Sequence, residues 1–329
     1  MGDTMNYIVL DLEWNQAVHA KEDEDIRKSM PFEIIEIGAV KLNEHLDESG
    51  QFHRFIKPKV YKELHYMTRR IVHITKEELS NGVEFPEAVK DFLNWCGDDV
   101  IFCTWGNSDL TELQRNMKYY NLTPISNGPL AYYDIQKFYR LLYDEGKQVR
   151  TLHYVADYFQ LEENLKFHSA LNDALYTARI MHHLDIQKVE KYHSFDCYRI
   201  PACKEEEIHA VFDTYSKYIS RGFETREEML DDKEVNSMKC YICGKRCRKK
   251  IRWFSGSGRN YYGLGICKEH GYLKGKLRIR QAENGMYYAV KTLKLVDAEG
   301  ASKIKDRQNS LRLKRRERRK KETKEQNSL

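Results

Sequence analysis

Two carboxylates stand two residues apart at the end of the first apolar stretch of the chain. In YIVLDLEWN, Asp11 and Glu13 follow four mostly apolar residues. If this stretch is a strand, residues i and i+2 point to the same face, so the two carboxylates lie side by side. Burying such a pair is costly unless a positive charge lies between them. Either the pair holds a cation, or the strand ends at Leu10 and both acids lie in a solvated loop.

Further residues capable of chemistry stand at comparable places along the chain. Asp109 follows the apolar stretch DVIFCTW at the start of a helical pattern, and His168 precedes Asp173 by five residues at the start of another. Active sites are often built where strands end and helices begin. Carboxylate oxygens bind hard divalent cations. Two such ions about 3.5–4 Å apart can activate a water and stabilise both oxygens in phosphodiester hydrolysis.

The ordered motifs resemble those of the DEDDh exonucleases, the DnaQ-like group of RNase H-like 3′–5′ exonucleases. D-x-E on the first strand, a lone Asp after a later strand and H-x4-D opening a late helix follow the family order, over roughly residues 5–185. The chain is most similar to the branch of the histone-mRNA exonuclease and the sporulation-inhibitor-like proteins. The resemblance implies two Mg²⁺ ions, with Mn²⁺ possible, held by Asp11, Glu13, Asp109 and Asp173. It also implies that His168 takes the proton from the attacking water, which suits its pKa near neutrality.

Three further residues are candidates for substrate contact by the same resemblance. Trp14 stands where such enzymes present an apolar face to the terminal nucleotide. Its ring could stack on that nucleotide or pack in the protein core. Ile74 follows Val72-His73, where relatives often have Thr-Gly, so the resemblance does not define the contacts to the terminal sugar here. Trp105 is a candidate at a strand end, with core packing as the alternative.

A second set of metal-ligating residues lies near the other end of the chain. Two pairs, Cys240-x2-Cys243 and Cys267-x2-His270, are separated by 23 residues, a spacing typical of a tetrahedral Zn²⁺ site. Four protein ligands leave no open position, so a structural role is expected. Cys247 is a spare that could replace one ligand. The remaining cysteines are expected to be buried thiols: Cys96, Cys103, Cys197 and Cys203.

Charge is distributed unevenly along the 329 residues. Residues 239–329 carry 27 Lys+Arg and 8 Asp+Glu, whereas the rest of the chain carries 28 and 42. A basic end on an acidic body favours polyanion binding at that end, with a solvated tail as the alternative. Four aromatic residues lie among the basic ones and suit either base stacking or a small core: Trp253, Phe254, Tyr261 and Tyr262.

The elements that position these residues follow an α/β pattern. Three strand-like stretches and then alternating strands and helices predict an RNase H-like mixed sheet flanked by helices over residues 5–188. A helical connector is expected over 189–236, followed by a small β-rich, zinc-ribbon-like module that holds nucleic acid over 237–298. The basic tail over 299–329 is expected to be disordered, with a frayed helix as the alternative. No apolar run reaches the roughly 18–20 residues of a membrane span. No signal pattern is visible, so a cytoplasmic location without a membrane partner is expected.

The resemblance implies a metal-dependent 3′–5′ exonuclease that releases nucleoside 5′-monophosphates from single-stranded nucleic acid. RNA is preferred because the most similar branch acts on RNA, and single-stranded DNA is the alternative. A non-catalytic nucleic-acid-binding or regulatory protein with a vestigial catalytic fold is a different class of function. A protein-docking role for the C-terminal end is a third.

Overall fold

The chain forms two compact units, Met1–Tyr198 and Arg199–Leu329. The computed structural model describes residues 5–18, 24–144, 148–162 and 165–326, with side chains described as far as residue 318. Within this part of the chain, no helix is long and apolar enough to span a membrane.

The first unit is a mixed six-stranded sheet flanked by helices. Its strands are β1 (Asn6–Asn15), β2 (Glu33–Leu42), β3 (Glu48–Phe55), β4 (Val100–Thr104), β5 (Leu130–Asp134) and β6 (Ser194–Asp196). Its helices are α1 (Glu24–Ser29), α2 (Tyr66–Ile71), α3 (Lys76–Ser80), α4 (Phe85–Cys96), α5 (Asp109–Tyr119), α6 (Ile135–Tyr143), α7 (Leu152–Tyr158), α8 (Ala170–His183) and α9 (Ile186–Val189), followed by a 3-10 turn (Glu190–Tyr192). The strand order is β3-β2-β1-β4-β5-β6, in which β4 runs parallel to β1 and β5 while the other neighbours are antiparallel. The predicted RNase H-like fold class is confirmed.

Strand β1 is apolar on both faces because each face is covered by helices. Ile8, Leu10 and Leu12 belong to a core cluster shared with α4 and α5. Tyr7 and Val9, on the other face, pack in a second cluster with residues of α6 and α8. A strand buried on both faces reads as a continuous apolar run. The odd-numbered residues of β1 therefore form a row that faces α8.

Helix α8 lies directly on β2 at Gly38. A Cβ at that position would lie 2.0 Å from the backbone nitrogen of Leu171 and 2.1 Å from the carbonyl carbon of Ala170. Both atoms are backbone, so no rotamer change would relieve the clash. Gly38 pairs with Asp11 in the β1–β2 ladder. The first turn of α8 is therefore held beside the acidic end of the β1 row.

The second unit is an antiparallel six-stranded sheet. Its strands are β7 (Ile208–Val211), β8 (Ser216–Ile219), β9 (Arg248–Ser257), β10 (Asn260–Cys267), β11 (Gly271–Gln281) and β12 (Tyr287–Val296), in the order β7-β8-β12-β11-β10-β9. Its helices are α10 (Arg226–Asp231), α11 (Lys233–Asn236) and α12 (Ala298–Gln326). Met229 of α10 and Val235 of α11 pack with Leu277 and Ile279 of β11. This core extends beyond the small module expected over 237–298.

The prediction of a helical connector over 189–236 was wrong for much of that segment. Strand β6 completes the first sheet, and β7 and β8 form a hairpin at the edge of the second. Residues along β7 alternate between half-buried and exposed positions. Strand β7 has only four residues and follows the charged stretch KEEE, so its alternation is too short to outweigh the helical composition around it.

Of the two alternatives for the tail over 299–329, disorder is wrong for the described residues, which form helix α12. Helix α12 packs through Ala301 and Ile304 against Leu264 of β10. Arg315, further along the helix, donates a hydrogen bond to the carbonyl of Ser255 at 2.9 Å. Two apolar residues at helical spacing anchor the start of a highly charged segment. Residues 327–329 lie outside the described residues.

Candidate active site and metal centre

The four predicted acids meet at the end of the β1 row. Asp11 and Glu13 continue the row of Tyr7 and Val9 toward the first turn of α8, which carries Asp173. Asp109 opens α5, and its carboxylate accepts hydrogen bonds from its own backbone N–H and from that of Leu12 on β1. Potential ligand atoms of Glu13, His168 and Asp173 all lie within 4.8 Å of one another. Residues far apart in the sequence thus form one acidic cluster.

Burial and mutual repulsion raise the pKa of every acid in this cluster. Burial is the largest cause for Asp11, whose pKa is raised well above its ordinary value, and Asp109, Asp173 and Glu13 raise it further. The pKa of Glu13 is raised to about 8, that of Asp109 to about 7 and that of Asp173 to about 6, in each case mainly by burial. Within the described ranges, no ion pair joins these four carboxylates to a Lys or Arg side chain. The cluster therefore fits divalent metal ions, which bind to oxygen ligands and offset the repulsion.

Glu36 on β2 is a fifth carboxylate, which the sequence reasoning missed. It pairs with Glu13 in the β1–β2 ladder and is fully buried. Its Oε1 lies 2.8 Å from His53 Nε2 and accepts a hydrogen bond of 3.0 Å from the hydroxyl of Ser169. Glu36 also contributes to the raised pKa of Asp11, Glu13 and Asp173. The available signal was an acid in the middle of the otherwise apolar stretch IIEIGAV.

His168 stands on an exposed turn immediately before α8. Its backbone has φ +64, and its N–H donates to Asp173 Oδ2 at 3.1 Å. Partial burial lowers the pKa of the imidazole, and the nearby His73 and His153 lower it further. A lowered pKa keeps the imidazole neutral at pH 7, as a proton acceptor requires. Ser169, the next residue, connects this turn to Glu36.

The predicted substrate residues lie near the core. Trp14 follows a bulge in β1 and packs against Phe32, with ring centroids 5.6 Å apart, and against the first core cluster. Trp105 packs against the second core cluster, and Ile74 is half-buried between α2 and α3. The core-packing alternative therefore describes both tryptophans, and substrate contact by these three residues stays a prediction.

The segment that leads from β3 to α2 is held against the end of β1. The buried carboxylate of Glu33 accepts three backbone hydrogen bonds, from Lys59, Val60 and Tyr61, at 2.6–2.9 Å. The side-chain amide of Asn15 donates to the carbonyl of Tyr61 at 2.8 Å. These bonds fix a loop next to the acidic cluster without using any of its carboxylates.

The cysteine and histidine pairs of the second unit converge as predicted. Cys243 Sγ lies 3.6 Å from Cys267 Sγ, and His270 Nδ1 lies 3.6 Å from the sulfurs of both Cys240 and Cys267. Tetrahedral zinc with its usual bond lengths has ligand-to-ligand separations of about 3.6–3.8 Å. Each pair is followed by a glycine with positive φ, Gly244 (φ +70) and Gly271 (φ +85), which lets the chain turn tightly around the ligands. The donor set and its spacing fit zinc.

The other cysteines are less uniform than the sequence predicted. Cys247 is not part of this four-residue group, and its sulfur contacts the carbonyl of Lys245 at 3.9 Å. Cys96 and Cys103 are buried as expected, but Cys197 is only half-buried and Cys203 is exposed. The prediction of a buried thiol is thus wrong for Cys203, which lies in a loop between the two sheets in sequence.

The aromatic residues among the basic ones of the second unit belong to its core. Trp253 and Tyr261 pack with the cluster around Leu277, and Phe254 packs with the cluster around Leu264. Tyr262 is buried beneath the guanidinium of Arg307, 4.0 Å from the ring centroid. The small-core alternative describes these rings, although Trp253, Phe254 and Tyr261 remain half-buried.

Comparisons with known proteins agree with the motifs. The RNase_T family model, described as Exonuclease, matches residues 8–181. No curated protein sequence matches the chain significantly. Among solved structures, a 3′-exonuclease studied for recognition of the histone mRNA stem-loop shares 18% identity with TM-score 0.45, covering 56% of this chain and 82% of its own. The nuclease domain of a DEDDh enzyme bound to rAMP shares 19% identity with TM-score 0.46, covering 56% and 92%. At such low scores these likenesses add no weight to the family match.

Proposed function

Since the chain belongs to the RNase_T family of exonucleases, we propose that it is a divalent-metal-dependent enzyme that removes nucleoside 5′-monophosphates from the 3′ end of single-stranded RNA. The membership confirms the prediction of a 3′–5′ exonuclease of the DEDDh type. The observation that supports the metal-dependent mechanism is the convergence of the buried acids at one end of β1, each with a raised pKa.

Each residue of the acidic cluster has a proposed role. Divalent cations held by Asp11, Glu13, Asp109 and Asp173 would activate the attacking water and stabilise developing charge on the phosphate oxygens. His168, neutral at pH 7, accepts the proton of that water at its imidazole. Glu36 accepts the hydrogen bond of the Ser169 hydroxyl and so orients the turn that carries His168. Glu36 is thus a positioning residue.

The preference for RNA over DNA rests on the resemblance of the motifs to an RNA-trimming branch. The test is digestion of 5′-labelled single strands of one sequence, as RNA and as DNA, with Mg²⁺ and with an Asp11→Asn control. A ladder that shortens from the 3′ end with RNA alone supports the whole proposal. Equal ladders with RNA and DNA would refute the preference for RNA but would still support the proposed metal-dependent 3′–5′ cleavage. Retention of the strand without any ladder would favour the non-catalytic binding protein.

We also propose that Cys240, Cys243, Cys267 and His270 hold one structural Zn²⁺ ion. The separations of 3.6 Å between their ligand atoms support this assignment. Elemental analysis of the purified chain should find about one zinc per chain, and Cys243→Ser should lose it. Zinc content unchanged in Cys243→Ser, but reduced in Cys247→Ser, would instead place Cys247 in the ligand set.

The cytoplasmic location stays a prediction.

A further inference from the structure

A cleft lies in the second unit where β11 extends past the end of β10. Strand β10 begins at Asn260, which pairs with Arg278, and the N–H of Ile279 donates to the carbonyl of Arg259 at 2.8 Å. Among the described strands, the last two residues of β11 pair with β12 alone. The cleft at this step has a volume of about 640 Å³, within the roughly 300–1,000 Å³ of small-molecule sites.

Four arginines from α10, the β9–β10 turn and β11 line this cleft, which we name the arginine cleft: Arg226, Arg259, Arg278 and Arg280. Within the described part of the chain, none of the four forms an ion pair, and no Asp or Glu lines the cleft. The guanidinium of Arg226 donates to the carbonyl of Gly258, which fixes α10 against the β9–β10 turn. Four cations thus share one concave surface without a counter-charge from the described residues.

The arginine cleft is a compact site rather than part of a continuous basic surface. Helix α12 packs on the sheet through Ala301 and Ile304, and its Arg307 lies over the ring of Tyr262. The same face of β11 is therefore partly covered along its first half and exposed at its end, where two arginines of the cleft lie. The positive charge that β11 offers to a ligand is concentrated at that end.

A ligand that matches this cleft carries its negative charge at one point. Guanidinium groups bind phosphate oxygens through paired hydrogen bonds. An internal phosphodiester carries one charge, whereas a phosphate monoester carries about 1.5 to 2 at pH 7 because its second pKa is near 6. The half-buried ring of Tyr287 lines the cleft beside the arginines and offers an apolar surface to a sugar or base. A nucleotide with a terminal phosphate therefore matches the cleft in charge and in size.

We propose that the arginine cleft binds the phosphate monoester of a nucleotide, either as the 5′-phosphate end of a nucleic-acid strand or as a free nucleoside 5′-monophosphate. The cleft belongs to the second unit, whereas the acidic cluster belongs to the first. The inference goes beyond the proposed function, since binding of a monoester requires no cleavage. A 5′ end bound there is the end opposite to the one that a 3′–5′ exonuclease shortens.

The test uses the full chain carrying Asp11→Asn, without added Mg²⁺, so that no strand is cleaved. Without metal, the acidic cluster repels a phosphate dianion and does not compete for it. Fluorescence anisotropy compares two short 3′-labelled RNAs of one sequence, one with a 5′-phosphate and one with a 5′-hydroxyl. The 5′-phosphate should strengthen binding roughly 10–100-fold, the range expected for hydrogen bonds to a charged group.

A matched pair of variants locates the effect. Arg278→Gln with Arg280→Gln removes two cations from the cleft, and Arg248→Gln with Arg252→Gln removes two exposed cations from β9 outside it. The cleft variant should bind the two RNAs with affinities within about threefold of each other. The control should keep the preference for the 5′-phosphate, even where its affinity for both RNAs falls, because general attraction to the strand does not distinguish the two ends.

A second arm titrates adenosine 5′-monophosphate, with adenosine as the control, into the same chains by calorimetry. Binding of the monophosphate that is lost only in the cleft variant supports a free nucleotide as ligand. A preference for 5′-phosphorylated RNA without such binding supports the end of a strand.

Two results would overturn the proposal. One is equal affinity of the parent for both RNAs together with no binding of the monophosphate. The other is a preference for the 5′-phosphate that survives in the cleft variant. Zinc content and circular dichroism verify that this variant is folded. Arg259→Gln, at an exposed position in the β9–β10 turn, takes its place in the same assays if it is not.

Discussion

Replacing Glu13 by Gln is expected to stabilise the magnesium-free chain at pH 8 and to leave its stability nearly unchanged at pH 4, below the ordinary pKa of glutamate. Burial and neighbouring acids raise the pKa of Glu13 to about 8, above the ordinary 4.5. The folded chain therefore keeps a proton that the unfolded chain releases, so stability is full below pH 4.5 and falls as pH rises toward 8. Glutamine carries no titrating proton and removes this loss.

The size of the effect follows from the packing of the carboxylates. Ligand atoms of Glu13 and Asp173 lie within 4.8 Å of each other. At an effective dielectric constant of about 20, two charges at that separation repel by about 3 kcal/mol. For a unit of roughly 200 residues this corresponds to a rise in Tm of about 6–12 °C at pH 8. Near pH 4, where the glutamate is mostly protonated in both the folded and the unfolded chain, the two chains should melt together.

Thermal unfolding followed by tryptophan fluorescence is the assay. Trp14, Trp95 and Trp105 lie in the first unit, so the signal reports mainly on the unit that holds the site. Magnesium is removed by dialysis without a chelator, so that zinc is retained. Adding Mg²⁺ at pH 8 should raise the Tm of the parent chain far more than that of the variant. Glu87→Gln, an exposed position on α4, is the matched control and should change nothing.

Two results would refute this reasoning. One is a Glu13→Gln variant that melts at or below the parent temperature at pH 8 in the absence of Mg²⁺. The other is a parent chain whose Tm at pH 8 does not respond to Mg²⁺. Either result would mean that the acids are accommodated in the fold without metal and without strain.

Three other substitutions test the remaining parts of the site. His168→Gln should lower kcat by about 10²–10⁴-fold while Mg²⁺ still raises Tm, and retained kcat would exclude a role as proton acceptor. Glu36→Gln should lower kcat by roughly 10–100-fold with little change in KM, and steady-state kinetics showing a KM effect alone would contradict positioning. Gly38→Ala should destabilise the first unit by about 3 kcal/mol or more, because its Cβ would meet the α8 backbone at 2.0 Å. Urea unfolding checks this, and a loss below about 1 kcal/mol would contradict the close approach.

The acidic cluster was predictable because each member carries a local signal. Asp11 and Glu13 break an apolar strand, and Asp109 and Asp173 stand at helix starts. These four acids come together because β1 pairs in parallel with β4. The alternation of strands and helices in the sequence indicates such a pairing. Glu36 escaped notice because a single acid within an apolar strand has no partner in its own sequence neighbourhood. Its function becomes visible only through contacts with residues 17 and 133 positions away.

The second unit was less predictable, because its packing depends on few residues among many charges. Helix α12 is anchored through Ala301 and Ile304, yet the segment around them is dominated by Lys and Arg. Composition alone therefore indicates a solvated tail. Likewise, Trp253 and Phe254 follow a run of basic residues and point to opposite faces of β9, and the sequence does not reveal that both faces are covered. The structure shows that Trp253 packs with the cluster around Leu277, whereas Phe254 packs with Leu264 beneath α12.

The late position of α8 in the chain has a consequence for synthesis on the ribosome. Strand β1 emerges first, but the helix that covers its acidic row begins only at Ala170. Until then, Asp11 and Glu13 remain hydrated and their repulsion is weak, because water screens it. The electrostatic penalty thus arises when α8 docks and its Ala174 and Ile180 join Val9 in one core cluster. A nascent chain is therefore spared most of the cost of the acidic cluster until nearly all of the first unit is available to offset it.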